Sequence, residues 1–284
     1  MKILHLTDIH LNSVYEPSFP AMDHLERILR DTTGIGSLVD AVVVTGDLVD
    51  EGKFTDYLDL FNLLAITYGV DTPILVTPGN HDNRKAFAGA YDEFRQGKSW
   101  RNSENISIYG SFENPGEAVT ILNTFKTTPE GGTTYQARSA VLMDTGHRAF
   151  PYQGLCRMMS CFGADSRKWP QYILFTHMPI IRPFHKFMNK PGFTIEDDDE
   201  VFLAGLEQSG CQAIVCGHYH CESHMVARGI RQYAGPANQV QIDPFSDNCN
   251  PSGNYPGYGI LTDDLLIEYH TNYIVGEDAA EKAK

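Results

Sequence analysis

Five short clusters of acidic, amide and imidazole side chains stand along the first 220 residues of the chain. Each cluster alone is more typical of a turn at a strand end than of a metal site. Together they offer seven groups of the mixed oxygen and nitrogen type that binds Fe, Mn or Zn, and no cysteine is among them. Such a set indicates an open catalytic metal site rather than a structural zinc held by thiolates. The seven candidate ligands are Asp8, His10, Asp47, Asn80, His177, His218 and His220.

Each cluster follows a run of apolar, largely β-branched residues, so we expect the ligands at strand ends. The predicted strands of the first half cover residues 2–7, 41–45 and 73–77. The predicted helices between and after them cover residues 24–31, 54–68 and 84–95. This alternation indicates parallel strands with crossover helices. Because ligands of such sheets bind beyond the carboxyl ends of the strands, all five clusters can reach one crevice.

The second half carries further strand patterns and one acidic helix start. The predicted strands cover residues 119–123, 139–144, 171–176 and 212–216, and the predicted helix covers 197–208. Two later stretches, 222–233 and 258–273, are typical of antiparallel strands. Residues 243–256 are rich in Pro, Asn, Ser and Gly, which predicts a surface loop. The small and charged residues 277–284 predict a flexible tail.

The five clusters, in this order, resemble the sequence blocks of the calcineurin-like metallophosphoesterase superfamily. The blocks here are Asp8-Ile9-His10, Gly46-Asp47-Leu48-Val49-Asp50, Gly79-Asn80-His81-Asp82, Thr176-His177 and Gly217-His218-Tyr219-His220. The resemblance covers residues 2–220 and implies an α/β (α+β) fold, a four-layer α/β/β/α sandwich. We expect a single domain over residues 1–276, with a dimetal site at the carboxyl ends of the strands.

The resemblance also implies how the ligands divide between two metal ions. The first ion would be held by Asp8, His10 and His220, the second by Asn80, His177 and His218, and Asp47 would bridge both. Two cations about 3.5–4 Å apart would activate a shared water for in-line attack on phosphorus. His81 would stand at the leaving-group oxygen as a proton donor, oriented by Asp50. A turn or helix N-cap role for Asp50 stays open.

Departures from subfamily patterns narrow the substrate class. Glu51 and Pro78 stand where Ser/Thr protein phosphatases carry phosphate-clamping arginines, and Asp50 stands where purple acid phosphatases carry a tyrosine ligand. The opening resembles DNA repair nucleases, but those proteins add a DNA-binding region for which few residues follow His220. Class III cyclic nucleotide phosphodiesterases and glycerophosphodiesterases are the closer resemblance, through residues 79–84 and 234–239.

The function implied by that resemblance is hydrolysis of small phosphodiesters, such as cyclic nucleotides or glycerophosphodiesters. A phosphomonoesterase or a nuclease on the same metals stays open, as does a non-catalytic binding or scaffold protein. Polar residues after the third cluster, and in segment 180–193 after the fourth, are the candidates for substrate contacts, although a solvated loop is the simpler interpretation of that segment. These candidates are Arg84, Arg182, His185, Lys186 and Asn189.

Composition limits the partners. The 284 residues carry 22 Lys plus Arg against 36 Asp plus Glu, and the net charge of −14 repels a long nucleic acid. The amino terminus lacks the pattern of a signal peptide, and no long apolar run predicts a membrane span. We expect a cytoplasmic protein that binds a small phosphoester and two ions of Mn, Fe or Zn. A homo-oligomer is compatible with this sequence.

Overall fold

The computed structural model describes residues 1–13, 20–50, 52–127, 134–145, 151–162, 171–191, 193–195, 199–262 and 264–271. The expected domain boundary at residue 276 and the expected tail at 277–284 lie outside these residues. The described strands are β1 (Ile3–Leu6), β2 (Ala41–Thr45), β3 (Ile74–Thr77), β4 (Ile106–Tyr109), β5 (Val119–Thr127), β6 (Thr134–Met143), β7 (Tyr172–Phe175), β8 (Cys211–Cys216), β9 (Ser223–Ala227), β10 (Ile230–Ala234), β11 (Gln241–Ile242), β12 (Pro251–Gly253), β13 (Gly257–Leu261) and β14 (Ile267–Thr271). The described α-helices are α1 (Ala21–Asp31), α2 (Phe54–Tyr68), α3 (Arg84–Arg95), α4 (Tyr152–Phe162) and α5 (Asp199–Gln208).

The first sheet has five strands in the order β14-β13-β1-β2-β3. Strands β1, β2 and β3 are parallel, and their connections run through α1 and α2 as the sequence predicts. On the other side of β1, β13 and then β14 pair antiparallel. Every residue of β1, β2 and β3 is buried, because a parallel sheet of this kind is covered on both faces. This explains why their sequences are mostly apolar, with His5, Thr45 and Thr77 as the buried polar exceptions.

The second sheet has seven strands in the order β4-β5-β6-β7-β8-β10-β9. Its centre, from β6 through β7 and β8 to β10, is parallel, and both edges are antiparallel. The two predicted antiparallel stretches near the end of the chain are confirmed as the hairpins β9–β10 and β13–β14. They belong to different sheets, which the sequence pattern did not indicate.

Alternate residues of the second sheet point to two different apolar cores. Ala140 and Leu142 of β6 belong to the core that also contains β1 to β3 and helices α1 to α3. Val141 and Met143 of the same strand belong to the core that contains α4 and α5. Since successive side chains of a strand lie on opposite faces, the two sheets pack face to face with helices outside them. The expected four-layer sandwich is confirmed.

Several elements differ from the sequence prediction. Helix α4 was not predicted from the sequence, and it forms where Leu155 and Met158 pack in the core on the second sheet. The predicted surface loop at 243–256 includes β12, which pairs with β11. Helix α5 begins at Asp199, and residues 196–198 of its predicted start lie outside the described residues. No helix in the described part of the chain is both long and apolar enough to cross a bilayer.

The aromatic packing between α2 and α3 gives a test of the first core. Phe61 is fully buried, and its ring centroid lies 5.4 Å from that of Tyr91 and 5.5 Å from that of Phe94. We predict that Phe61→Ala lowers the free energy of unfolding by about 3–5 kcal/mol, because it leaves a cavity in close packing. Urea denaturation at fixed metal content measures this change.

The control is Ile66→Ala on the same helix, where the native side chain is 79% exposed. We expect this variant to change the free energy of unfolding by at most about 0.5 kcal/mol. Equal losses of unfolding free energy in the two variants would contradict the placement of Phe61 on the buried face of α2 and of Ile66 on its exposed face.

Candidate metal centre

The turns that follow β1, β2 and β8 hold candidate ligands in left-handed backbone conformations. Asp8 has φ 53°, His10 52°, Asp47 48°, His218 69° and His220 51°. Residues with a Cβ rarely adopt this region, because the side chain crowds the backbone carbonyl. Such strain persists where the surrounding structure enforces it, and it concentrates at functional sites. Here it turns successive side chains of each cluster toward one crevice.

Glycines in the clusters allow these turns to approach each other. A Cβ on Gly217 would collide with the Thr7 hydroxyl and the Asp8 carboxylate, and a Cβ on Gly79 would collide with the backbone and carboxylate of Asp47. The close approach lets the Asp8 carboxylate accept the backbone N–H of residue 218 at 3.0 Å. The glycines of the second, third and fifth clusters therefore have a steric role in the site.

The first group of side chains is formed by Asp8, His10 and His220. His220 Nε2 lies 3.4 Å from Asp8 Oδ1 and 3.1 Å from His10 Nε2. One ligand atom from each residue lies within 4.8 Å of the others, and all three residues are buried. Their nitrogen and oxygen atoms thus converge on one small volume.

The second group is formed by Asp47, His177 and His218, which also converge within 4.8 Å. His177 Nε2 lies 3.2 Å from Asp47 Oδ2 and 3.0 Å from Asn80 Oδ1. Asp47 Oδ2 is in addition 3.6 Å from His10 Nε2, in the first group. The structure therefore brings all seven candidate ligands together, with Asp47 between the two groups.

The outer nitrogen of every candidate histidine ligand is held by an acceptor oxygen. A carbonyl or carboxylate oxygen only accepts, so the nitrogen that faces it carries the hydrogen. The other nitrogen of a neutral ring then presents its lone pair to the group, as metal-binding histidines require. The four pairs are His10 Nδ1 with Asp50 at 2.7 Å, His177 Nδ1 with the Thr45 carbonyl at 2.9 Å, His218 Nε2 with the Phe193 carbonyl at 2.7 Å and His220 Nδ1 with the Val240 carbonyl at 3.0 Å.

The electrostatics of the two groups favour a bound cation. Burial opposes a charged imidazole, yet the adjacent carboxylates raise the pKa of His10 and of His177 to about 9. Burial would raise the pKa of Asp8 and Asp47, but the neighbouring histidines lower both. The two buried carboxylates therefore stabilise positive charge on the groups beside them. The residues present therefore fit two metal ions.

Asp82, the last residue of the third cluster, has a structural role that sequence reasoning missed. Its carboxylate accepts the backbone N–H groups of Leu48, Val49 and Gly79, at 2.8–3.1 Å for the shortest contact of each, and the Tyr57 hydroxyl at 3.1 Å. Burial raises the pKa of Asp82 to about 6. Asp82 joins the turns after β2 and β3 and thereby fixes the spacing of the ligands on them.

Asp50 contacts two histidines rather than one. Its Oδ1 lies 2.7 Å from His10 Nδ1 and 3.2 Å from His81 Nδ1. The His81 side chain is 46% exposed, and the contact with Asp50 raises its pKa. Asp50 therefore orients His81, as the sequence reasoning expected, and also a candidate ligand.

A cavity of about 640 Å³ opens over these residues, a volume typical of small-molecule sites. Candidate ligands and His81 form its polar part, and apolar side chains form much of the rest. No Lys or Arg is among the described residues that line it. The lining residues are His10, Asp47, Asp50, Asn80, His81, Phe187, Met188, Phe193, His218, His220, Gln239, Val240, Ile242, Asn248, Cys249 and Pro251.

The five residues expected to contact substrate do not line this cavity. Three are engaged elsewhere: Arg84 pairs with Asp144, Arg182 donates to the Ile195 carbonyl, and Lys186 pairs with Asp247. The other two are Asn189, which contacts the Pro183 carbonyl and the Tyr219 hydroxyl, and His185, which is fully buried. Apolar neighbours of these residues, Phe187, Met188 and Phe193, line the cavity instead. Sequence reasoning missed these three residues because it considered only polar side chains as substrate contacts.

The chain is similar to known phosphoesterases in sequence and in fold. The family model for calcineurin-like phosphoesterases matches residues 1–222. A probable cyclic nucleotide phosphodiesterase of Pseudoalteromonas sp. (strain SM9913) is 26% identical over 265 residues, which cover 92% of this chain and 87% of that protein. A probable glycerophosphodiester phosphodiesterase of Arcobacter nitrofigilis is 22% identical over 285 residues, with 96% and 93% covered. A solved dimetal phosphatase from Danio rerio shares the fold, with a TM-score of 0.52, 12% identity and 95% of each chain covered.

The family match includes all five clusters and therefore all seven candidate ligands. It extends over most of the 284 residues. The chain belongs to the calcineurin-like phosphoesterase family and is a metal-dependent phosphoesterase.

Proposed function

We propose that this protein hydrolyses small phosphodiesters in the cavity above Asp47. The observation that carries the proposal is the cavity lining, where candidate metal ligands and His81 meet apolar side chains and no described Lys or Arg is present. A phosphodiester carries one negative charge, which the metal centre can neutralise. A phosphomonoester dianion carries a second charge, and the described lining offers no Lys or Arg to pair with it. The names of the two relatives, both phosphodiesterases, support the same substrate class.

Two metal ions complete the proposed centre. Asp8, His10 and His220 would hold the first ion, Asn80, His177 and His218 would hold the second, and Asp47 would serve both. Nitrogen and oxygen ligands of this mixture suit Fe, Mn or Zn. When bound, the ions polarise the phosphoryl oxygens and make water acidic enough to act as the nucleophile near neutral pH.

The side chains outside the ligand set supply orientation and a proton. Asp50 accepts from His81 Nδ1, so the other ring nitrogen, Nε2, is left for the substrate. We assign to Nε2 the proton that the leaving alkoxide takes up as its bond to phosphorus breaks. Because Asp50 also holds His10, the proton donor and one metal ligand share a single support. This arrangement keeps the donor at a fixed distance from the metal centre.

The alternatives have less support in the described residues. A nuclease would hold a polyanion against a net charge of −14. A scaffold protein has no physical need for seven converging ligands, four of them buried histidines with fixed tautomers, since burying such polar groups costs free energy. A phosphomonoesterase would be favoured by a Lys or Arg beside the metal centre, and the described cavity lining contains neither.

The first prediction concerns the charge of the substrate. After reconstitution with Mn²⁺, we expect kcat/KM for bis-p-nitrophenyl phosphate to exceed that for p-nitrophenyl phosphate by roughly tenfold or more, the equivalent of one charge-assisted hydrogen bond. Initial rates of nitrophenolate release measure both. Chelated protein is the control and should be inactive on both esters. A preference for the monoester would contradict the proposal.

The second prediction concerns His81. We expect His81→Ala to keep its metal content and to lose roughly 10²–10⁴ in kcat on glycerophosphocholine, whose alkoxide needs a proton. The loss should be smaller on bis-p-nitrophenyl phosphate, because nitrophenolate leaves without one. Metal analysis and kcat for both diesters measure the two effects.

Two further variants separate proton transfer from metal loss. His224→Ala removes an exposed histidine from β9 that does not line the cavity, and it should leave both rates unchanged. Asp47→Asn should lose metal along with activity. Loss of metal in His81→Ala, or equal losses of kcat on the two diesters, would contradict the role of His81 as proton donor.

A further inference from the structure

Part of the cavity lining has no role in holding metal or moving a proton. It consists of large apolar side chains from two segments, 187–193 and 240–251. These side chains are Phe187, Met188, Phe193, Val240, Ile242 and Pro251. An apolar surface that stays open beside a strongly polar centre costs free energy in the free protein. That cost is recovered when an apolar part of a ligand covers the surface.

Two phenylalanines form the centre of this surface. The ring centroids of Phe187 and Phe193 lie 4.7 Å apart with an angle of 49° between the ring planes. Phe193 is 37% exposed although its side chain is among the largest apolar ones. We call this pair the aromatic wall. A planar ring placed on it would gain the stacking geometries that aromatic pairs prefer.

The aromatic wall is held in place by contacts of its backbone and of one neighbouring lysine. The Phe193 carbonyl accepts from His218 Nε2 at 2.7 Å, which ties the wall to the metal centre. Lys190 Nζ lies 4.9 Å from the Phe187 ring centroid and donates to the Asp247 carbonyl at 2.6 Å. The wall is therefore built before a ligand arrives, and binding does not have to order it.

We propose that the aromatic wall of Phe187 and Phe193 is a subsite for the planar ring of a phosphodiester substituent, such as a nucleobase. This inference rests on the proposed function and narrows its substrate class. A glycerol substituent fits less well, because its hydroxyls would lose water against Phe, Met, Val, Ile and Pro side chains that offer no hydrogen bond. Phe187 and Phe193 are then the residues that set the preference for ring-bearing diesters over glycerol diesters.

The experiment compares ligands that differ only in the ring. Adenosine 5′-monophosphate and ribose 5-phosphate share the sugar phosphate, and calorimetry with the Mn²⁺-loaded full chain measures the affinity of each without hydrolysis. We expect the wild type to bind the base-bearing ligand about 5- to 100-fold more tightly, as stacking of one base predicts. Phe187→Leu and Phe193→Leu keep apolar bulk, remove the ring, and should each bring this ratio toward one.

Phe184→Leu is the matched control. Phe184 lies shortly before Phe187 in the chain, is 64% exposed and does not line the cavity, and its ring centroid lies 5.5 Å from that of Phe245. We expect it to keep the wild-type ratio. A wild-type ratio near one, or an equal fall of the ratio in Phe184→Leu, would overturn the inference. If neither monoester binds, equal kcat/KM for the two cyclic diesters described next would overturn it.

Hydrolysis assays distinguish failure of the aromatic subsite from failure of the proposed phosphodiesterase function. The second substrate pair is adenosine 2′,3′-cyclic phosphate and methyl riboside 2,3-cyclic phosphate, which share the reacting ring. If the wild type binds the base-bearing ligand selectively but hydrolyses no diester, the proposed function fails and the subsite stands. If it hydrolyses both cyclic phosphates at equal kcat/KM, the function stands and the subsite fails.

Discussion

The structure depends on the burial of the Asp47 carboxylate between two groups of histidines. Asp47 is 2% exposed, and its Oδ2 lies 3.2 Å from His177 Nε2 and 3.6 Å from His10 Nε2. A carboxylate in such a place is stable only with positive charge around it. Strained left-handed turns, glycines at close approach and an acceptor oxygen behind each histidine all serve to bring cation-binding atoms to this point. The fold supplies these features at the carboxyl ends of parallel strands in two different sheets.

The same constraint shapes the surroundings of the site. The Phe193 carbonyl accepts a hydrogen bond from His218, a candidate ligand, and the Phe193 ring lines the cavity. One residue therefore both orients a candidate ligand and contributes an aromatic surface. His10 is fixed by Asp50, which also holds His81. Phe193 therefore links the ligand geometry to the apolar surface, and Asp50 links the ligand geometry to the proposed proton donor. A change in any of these supports is expected to affect binding and chemistry together.

The sequence predicted the parts of the site that are encoded locally. All seven candidate ligands lie within a few residues of a strand end, and the buried strands β1 to β3 are mostly apolar, so the motifs and the apolar pattern were enough to locate them. It did not predict the cavity wall, because Phe187 and Phe193 are apolar and face the site only through long-range packing. Lys186 and Arg182 were expected at the substrate, but they pair with Asp247 and the Ile195 carbonyl, which lie 61 and 13 residues away along the chain. Helix α4 was missed for a similar reason, since packing on a sheet and not propensity stabilises it.

The most direct test of the central claim is the number and position of bound metal ions. Elemental analysis of protein saturated with Mn²⁺, together with anomalous diffraction at the manganese edge from its crystals, measures both. The account predicts two ions per chain, one contacting Asp8, His10 and His220, the other contacting Asn80, His177 and His218, and Asp47 contacting both. A single ion, no ion, or ions held outside these groups would contradict it.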